Sequence, residues 1–74
     1  MYVITKINQK KIADETNYIV SFRQDTEVFT ISFVVKDYEI TRLQIIKGEI
    51  EKSECLNFIL NIFTDIRISK TFKE

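Results

Sequence analysis

Tyr18-Ile19-Val20-Ser21-Phe22-Arg23-Gln24-Asp25-Thr26-Glu27-Val28-Phe29-Thr30-Ile31-Ser32-Phe33-Val34-Val35 is two alternating runs around a polar break. Tyr18, Val20 and Phe22 share one face of the first run, and Phe29, Ile31, Phe33 and Val35 share one face of the second. Period-two alternation rich in β-branched and aromatic residues is the mark of half-buried strands. Setting Gln24 opposite Glu27 brings Phe22 across from Phe29, Val20 from Ile31 and Tyr18 from Phe33. The apolar faces then coincide, and a slip of one residue would turn one of them to solvent.

The pattern extends on both sides of this hairpin. Residues 2–7 alternate loosely and read as a first strand, and the polar residues 8–11 read as a turn, with a short helical turn over residues 9–15 as the competing reading. Downstream, residues 40–47 read as a fourth strand. Pairing Val35 with Thr41 sets Phe33 against Leu43 and Ile31 against Ile45. A helix over 40–47 is the main alternative, because the pattern is short.

Gly48, the single glycine, marks a turn with positive φ. Ser53 is the expected N-cap of a helix near residues 53–67. On a helical wheel, Cys55, Leu56, Phe58, Ile59, Ile62 and Ile66 fall with their apolar neighbours on an arc of roughly 200°. Beyond Arg67 the period fails, since Lys70 would enter the apolar arc. Residues 68–72 then read as an extended tail docking on a sheet edge. The expected fold is α+β: a three- or four-stranded antiparallel meander, with strands near 2–7, 17–24, 27–36 and 40–47 and one C-terminal helix on one face. With no repeat or linker, residues 1–74 form a single domain.

Eleven basic and eleven acidic side chains give a formal net charge of zero, without the basic excess usual in a nucleic-acid binder. The charge is not spread evenly, however. Residues 25–54 hold seven acids against four bases, and the first 24 residues hold four bases against two acids. The acidic middle admits a surface that imitates phosphates, although such mimics usually carry a large negative net charge. The start admits a nucleic-acid contact at Lys10 and Lys11, with Tyr2 or Tyr18 beside them for stacking.

Several chemistries lack their residues. There is no histidine, which removes the usual general base and the commonest transition-metal ligand. One glycine rules out a glycine-rich phosphate loop. Cys55 is the only cysteine, so no intrachain disulfide forms, and its place in the apolar arc predicts burial rather than reactivity. No catalytic, cofactor-binding or metal site is expected, and the chain reads as a non-enzyme.

What remains is an apolar surplus. With the core face assigned, Ile19, Val28, Val34, Ile40 and Ile46 project from the other face of the sheet, next to Arg42. Several aliphatics on one open surface predict an interface. The functional expectation is a small protein–protein interaction module, most simply a homodimer, with a nucleic-acid-binding or nucleic-acid-mimicking protein as the alternative. No stretch is apolar and long enough for a membrane span. The lone thiol and the absence of a leader point to the cytoplasm. Thirteen isoleucines and eight lysines against five Gly, Ala, Arg and Pro together match AT-rich codons. That bias and the small size suggest an accessory or inhibitory protein of a low-GC bacterium, its phage or a prophage.

Overall fold

The computed structural model describes residues 1–72 as one five-stranded sheet with a single helix against one face. The strands are β1 (Val3–Ile12), β2 (Glu15–Gln24), β3 (Glu27–Lys36), β4 (Glu39–Lys47) and β5 (Arg67–Ile68), with helix α1 (Lys52–Ile62) between β4 and β5. The strand order is β1-β2-β3-β4-β5. The first four form an antiparallel meander, and β5 adds in parallel to β4.

The central hairpin has the register that its alternation demands. Gln24 pairs with Glu27, Phe22 with Phe29, Val20 with Ile31 and Tyr18 with Phe33. All three hairpins of the meander close through two residues, and each needs a left-handed backbone at a non-glycine residue. Ala13 (φ 56°), Asp25 (55°), and both Asp37 (53°) and Tyr38 (63°) adopt it. Two-residue primed turns match the twist of the flanking strands, and aspartate tolerates this conformation better than most residues.

The first strand departs from the sequence reading. It runs to Ile12 rather than stopping near residue 7, so residues 8–11 are strand and no helical turn forms over 9–15. The hairpin turn is Ala13-Asp14, a pair with no glycine or asparagine to announce it. A bulge between Ile4 and Lys6 keeps Ile4 opposite Phe22 and Ile7 opposite Val20, although the two isoleucines are three positions apart and their partners only two.

Pairing between β3 and β4 also contains bulges. Phe33 does meet Leu43 and Ile31 meets Ile45, but Val35 pairs with Ile40 rather than Thr41. Thr41 is the extra residue, and its Oγ1 donates to the Val34 carbonyl at 3.4 Å. This shift turns Ile40 inward, where it is fully buried. Placing Ile40 on the open face is therefore incorrect: strict alternation from Leu43 gives the wrong side of the sheet once a bulge intervenes.

The helix is shorter than its periodicity implied. Its N-cap is Glu51, without a side-chain capping bond, and Ser53, the expected cap, is instead the second residue of the helix. It ends at Ile62, with the Phe63 amide donating to the Ile59 carbonyl at 2.8 Å. Leaving the helix here keeps Ile66 in the core and puts Arg67–Ile68 beside Glu39–Ile40. The Arg67 amide donates to the Tyr38 carbonyl at 2.9 Å and the Ser69 amide to the Ile40 carbonyl at 3.1 Å. Those bonds satisfy part of an otherwise open edge of β4. The expected docking of a tail on a sheet edge thus begins at residue 67.

Between sheet and helix lies a core of Val20, Phe22, Phe29, Ile31, Phe33, Ile40, Leu43, Cys55, Leu56, Ile59 and Ile66. Aromatic rings frame it in two groups. Phe58 stacks on Phe22 at 4.2 Å, with Tyr2 edge-on to both. Beyond the helix end, Phe63 stands edge-on to Phe33 while Tyr18 stacks on Phe33 at 4.9 Å. Offset and edge-on pairs of this kind add about 0.5–1.5 kcal/mol each beyond area burial. No helix among the described residues is long and apolar enough to cross a membrane.

Candidate functional site

The register fixes which side chains share the face turned away from α1. Across the four long strands they fall into rows: Ile12, Glu15, Lys36 and Glu39; Lys10, Asn17, Val34 and Arg42; Asn8, Ile19, Ser32 and Gln44; Lys6, Ser21, Thr30 and Lys47; then Val3, Arg23 and Val28. No described element covers these rows. Ile19 and Val28 are 44% and 43% exposed and Ile46 is 53% exposed. Total exposed surface is 5318 Å², against about 4,800 Å² for a compact monomer of this mass. The excess fits a sheet that is packed on only one side.

Of the expected interface residues, Ile19, Val28, Val34 and Arg42 stand on this face, and Ile46, the extra residue of the bulge between Thr30 and Ile31, is exposed beside it. Ile40 does not belong there. Val3 and Ile12 do: Ile12 lies beyond a first strand expected to end near residue 7, and Val3 lies within that strand, whose loose alternation assigns it no face. A longer period-two count through residues 3–12 would have found Ile12, but it is interrupted by the bulge at Thr5. The aliphatics are interspersed among polar side chains rather than gathered into one continuous patch.

Lys10 and Lys11 are separated by the pleat. Lys10 lies on the open face opposite Asn17, whereas Lys11 pairs with Thr16 on the helix side. Tyr2 and Tyr18 are both on the helix side, committed to phenylalanine rings. Lys10 therefore has neither ring beside it, whereas Tyr18 lines the same cleft as Lys11 with its ring already stacked on Phe33.

Charge is segregated between the two sides. The open face carries Lys6, Lys10, Arg23, Lys36, Arg42 and Lys47 against two carboxylates, Glu15 and Glu39. Glu39 accepts from Arg67 Nε at 3.0 Å, and Lys36 lies 3.3 Å from Asp14. Among the described residues, Lys6, Lys10, Arg23, Arg42 and Lys47 have no ion-pair partner. The opposite polarity collects near the start of the helix, where Glu27, Glu49, Glu51 and Glu54 border an open cleft of about 500 Å³ beside Tyr2. Tyr2 Oη donates to Glu54 Oε2 at 2.9 Å. That bond and partial desolvation raise the phenol above its usual range. No group of His, Cys, Asp or Glu among the described residues is arranged to hold a metal ion.

Cys55 is fully buried on the inner face of α1, as its position on the apolar arc implies. Desolvation, reinforced by Glu54, pushes its thiol up to about 11. A protonated, inaccessible thiol is a poor nucleophile. No protein-family model, curated protein or solved structure matches this chain, so its functional reading rests on its own geometry.

Proposed function

We propose that this chain is a non-enzymatic binding protein that engages a macromolecular partner through the open face of its sheet. One observation carries the reading. Four long strands present an entire face that no described element covers, with half-exposed aliphatics set among unpaired cations. An open sheet face with this many cations lacking ion-pair partners among the described residues is suited to a partner of complementary charge. The missing histidine and the inert Cys55 weigh against catalysis. A cytoplasmic accessory or inhibitory role, in a low-GC bacterium or its phage, is compatible with the lone thiol and the codon bias.

Face-to-face self-association is the partner that this charge pattern favours least. Stacking two copies through the open face brings two sets of largely unpaired cations together, and like charges across an interface cost affinity.

The test is an amide chemical-shift map. The labelled chain is titrated separately with more of itself, duplex DNA, polyglutamate and anionic vesicles. The reading expects at least one probe to shift the amides of Ile19, Ser32 and Gln44 while those of Leu56 and Ile59 stay in place. It is overturned if no probe moves the open face, or if all shifts fall on the helix side.

A further inference from the structure

We infer that the open face binds the backbone and groove of duplex DNA. The inference rests on the binding role proposed for this face and names its partner.

The face displays residues unlike those of a typical protein–protein interface. Protein interfaces are enriched in aromatic residues and depleted in lysine and serine. Here every phenylalanine ring of the sheet strands belongs to the helix side. The open face instead has Lys6, Lys10, Lys36 and Lys47, with Ser21 and Ser32 between the cations. A polar, strongly positive surface is the character of a protein–DNA interface. A net charge of zero hides it, because the compensating glutamates gather at the far side, around the cleft beside Tyr2.

Spacing sharpens the choice. Lys10 and Arg42 end one row, and Lys6 and Lys47 end the row two steps along. Four residues of strand separate Lys10 from Lys6, a distance of about 13 Å, and three interstrand steps separate the β1 and β4 edges, about 14 Å. Four cations thus mark the corners of a patch comparable to the roughly 12 Å major groove of B-form DNA. Between them stand Asn8, Asn17, Ser21, Thr30, Ser32 and Gln44, which can donate to phosphates and to base edges. β-Sheets are an established means of entering a DNA groove. Single strands are disfavoured because the face offers no ring for base stacking. The deep, narrow major groove of duplex RNA does not admit such a face.

The experiment is fluorescence anisotropy of a labelled 16-base-pair DNA duplex with the full chain. Binding is expected at 50 mM salt and should weaken about 100-fold at 200 mM, the dependence for roughly four phosphate contacts. Lys10→Glu with Arg42→Glu should weaken it at least tenfold, with unchanged circular dichroism. Lys52→Glu with Lys70→Glu, outside the four-stranded face, should leave it unchanged. Absent or salt-independent binding overturns the inference. So does equal loss in both double variants, a preference for single strands, or equally tight binding of polyglutamate or anionic vesicles. If DNA fails while another probe still shifts the open-face amides, the binding role stands and only its partner is wrong.

Discussion

A methyl group placed on Gly48 would lie 2.6 Å from Cδ1 of Phe29 and 3.1 Å from the Val28 carbonyl oxygen. The backbone there also has φ +97°, a conformation that side chains rarely adopt. Two independent penalties therefore fall on one atom. Phe29 stacks with Phe22 at 5.3 Å and is buried, so its ring has little freedom to withdraw. Gly48→Ala is expected to destabilise the fold by about 2–4 kcal/mol. Urea denaturation followed by circular dichroism measures this, and a loss below half a kcal/mol would show that the turn relaxes freely.

A neighbouring turn carries the opposite prediction. Tyr38 holds φ 63° and is 64% exposed, so its side chain gives up backbone comfort with little burial in return. Asp37-Tyr38 has positive φ at both central positions, the pattern that type I′ turns satisfy with Asn-Gly or Asp-Gly. Tyr38→Gly should relieve about 1 kcal/mol after the entropic cost of glycine is included. A higher melting temperature is the expected readout, and a drop would mean that the ring makes contacts worth more than the strain.

Much of the fold was legible because alternation was unbroken where it mattered. Beyond Gln24–Glu27, the three successive helix-side pairs Phe22–Phe29, Val20–Ile31 and Tyr18–Phe33 are apolar, so a single register brings them all under the helix. Legibility failed where the backbone leaves its period. The extra residue at Thr41 sends Ile40 to the core, and the bulge at Thr5 disguises the length of β1. The helix end escapes periodicity for a different reason: Ile66 falls on the buried side either way, and only the pairing of Arg67–Ile68 with β4 chooses between the two. Of the open face, Ile19, Val28 and Val34 could be read from the hairpin alone. Its charge could not, because Lys6, Lys10, Arg42 and Lys47 converge only through the registers of four strands.

Cys55 gives a prediction in pH. Its thiol is raised from 9.0 to about 11 by burial, so the folded chain holds this proton to higher pH than the unfolded chain does. The stabilisation is complete below pH 9 and is lost as pH rises through the window from 9 to 11. Stability should fall there by at most about 1.4 kcal/mol per pH unit from this group. Cys55→Ser removes that thiol titration. Chemical denaturation at pH 8, 9 and 10 should show a flatter decline for the variant, and parallel declines would assign the effect to other groups. In the native state at pH 8 a thiol reagent should label Cys55 only as fast as the chain opens, whereas immediate labelling would contradict its burial.

The bulge at Thr41 predicts unequal fates for two isoleucines that alternation would place together. Ile40 is fully buried, whereas Ile46 is 53% exposed. Ile40→Ala removes packed methyl groups and should cost about 2–5 kcal/mol. Ile46→Ala should stay within about 0.5 kcal/mol, as expected for a surface change. Comparing their thermal midpoints decides whether Thr41 is the residue displaced from the ladder. Equal losses would place both side chains in the core, and a small loss at Ile40 alone would return it to the open face. The same pair also protects functional experiments from a false reading. A defect in Ile40→Ala reports on folding, whereas a defect in a stable Ile46→Ala chain reports on the surface itself.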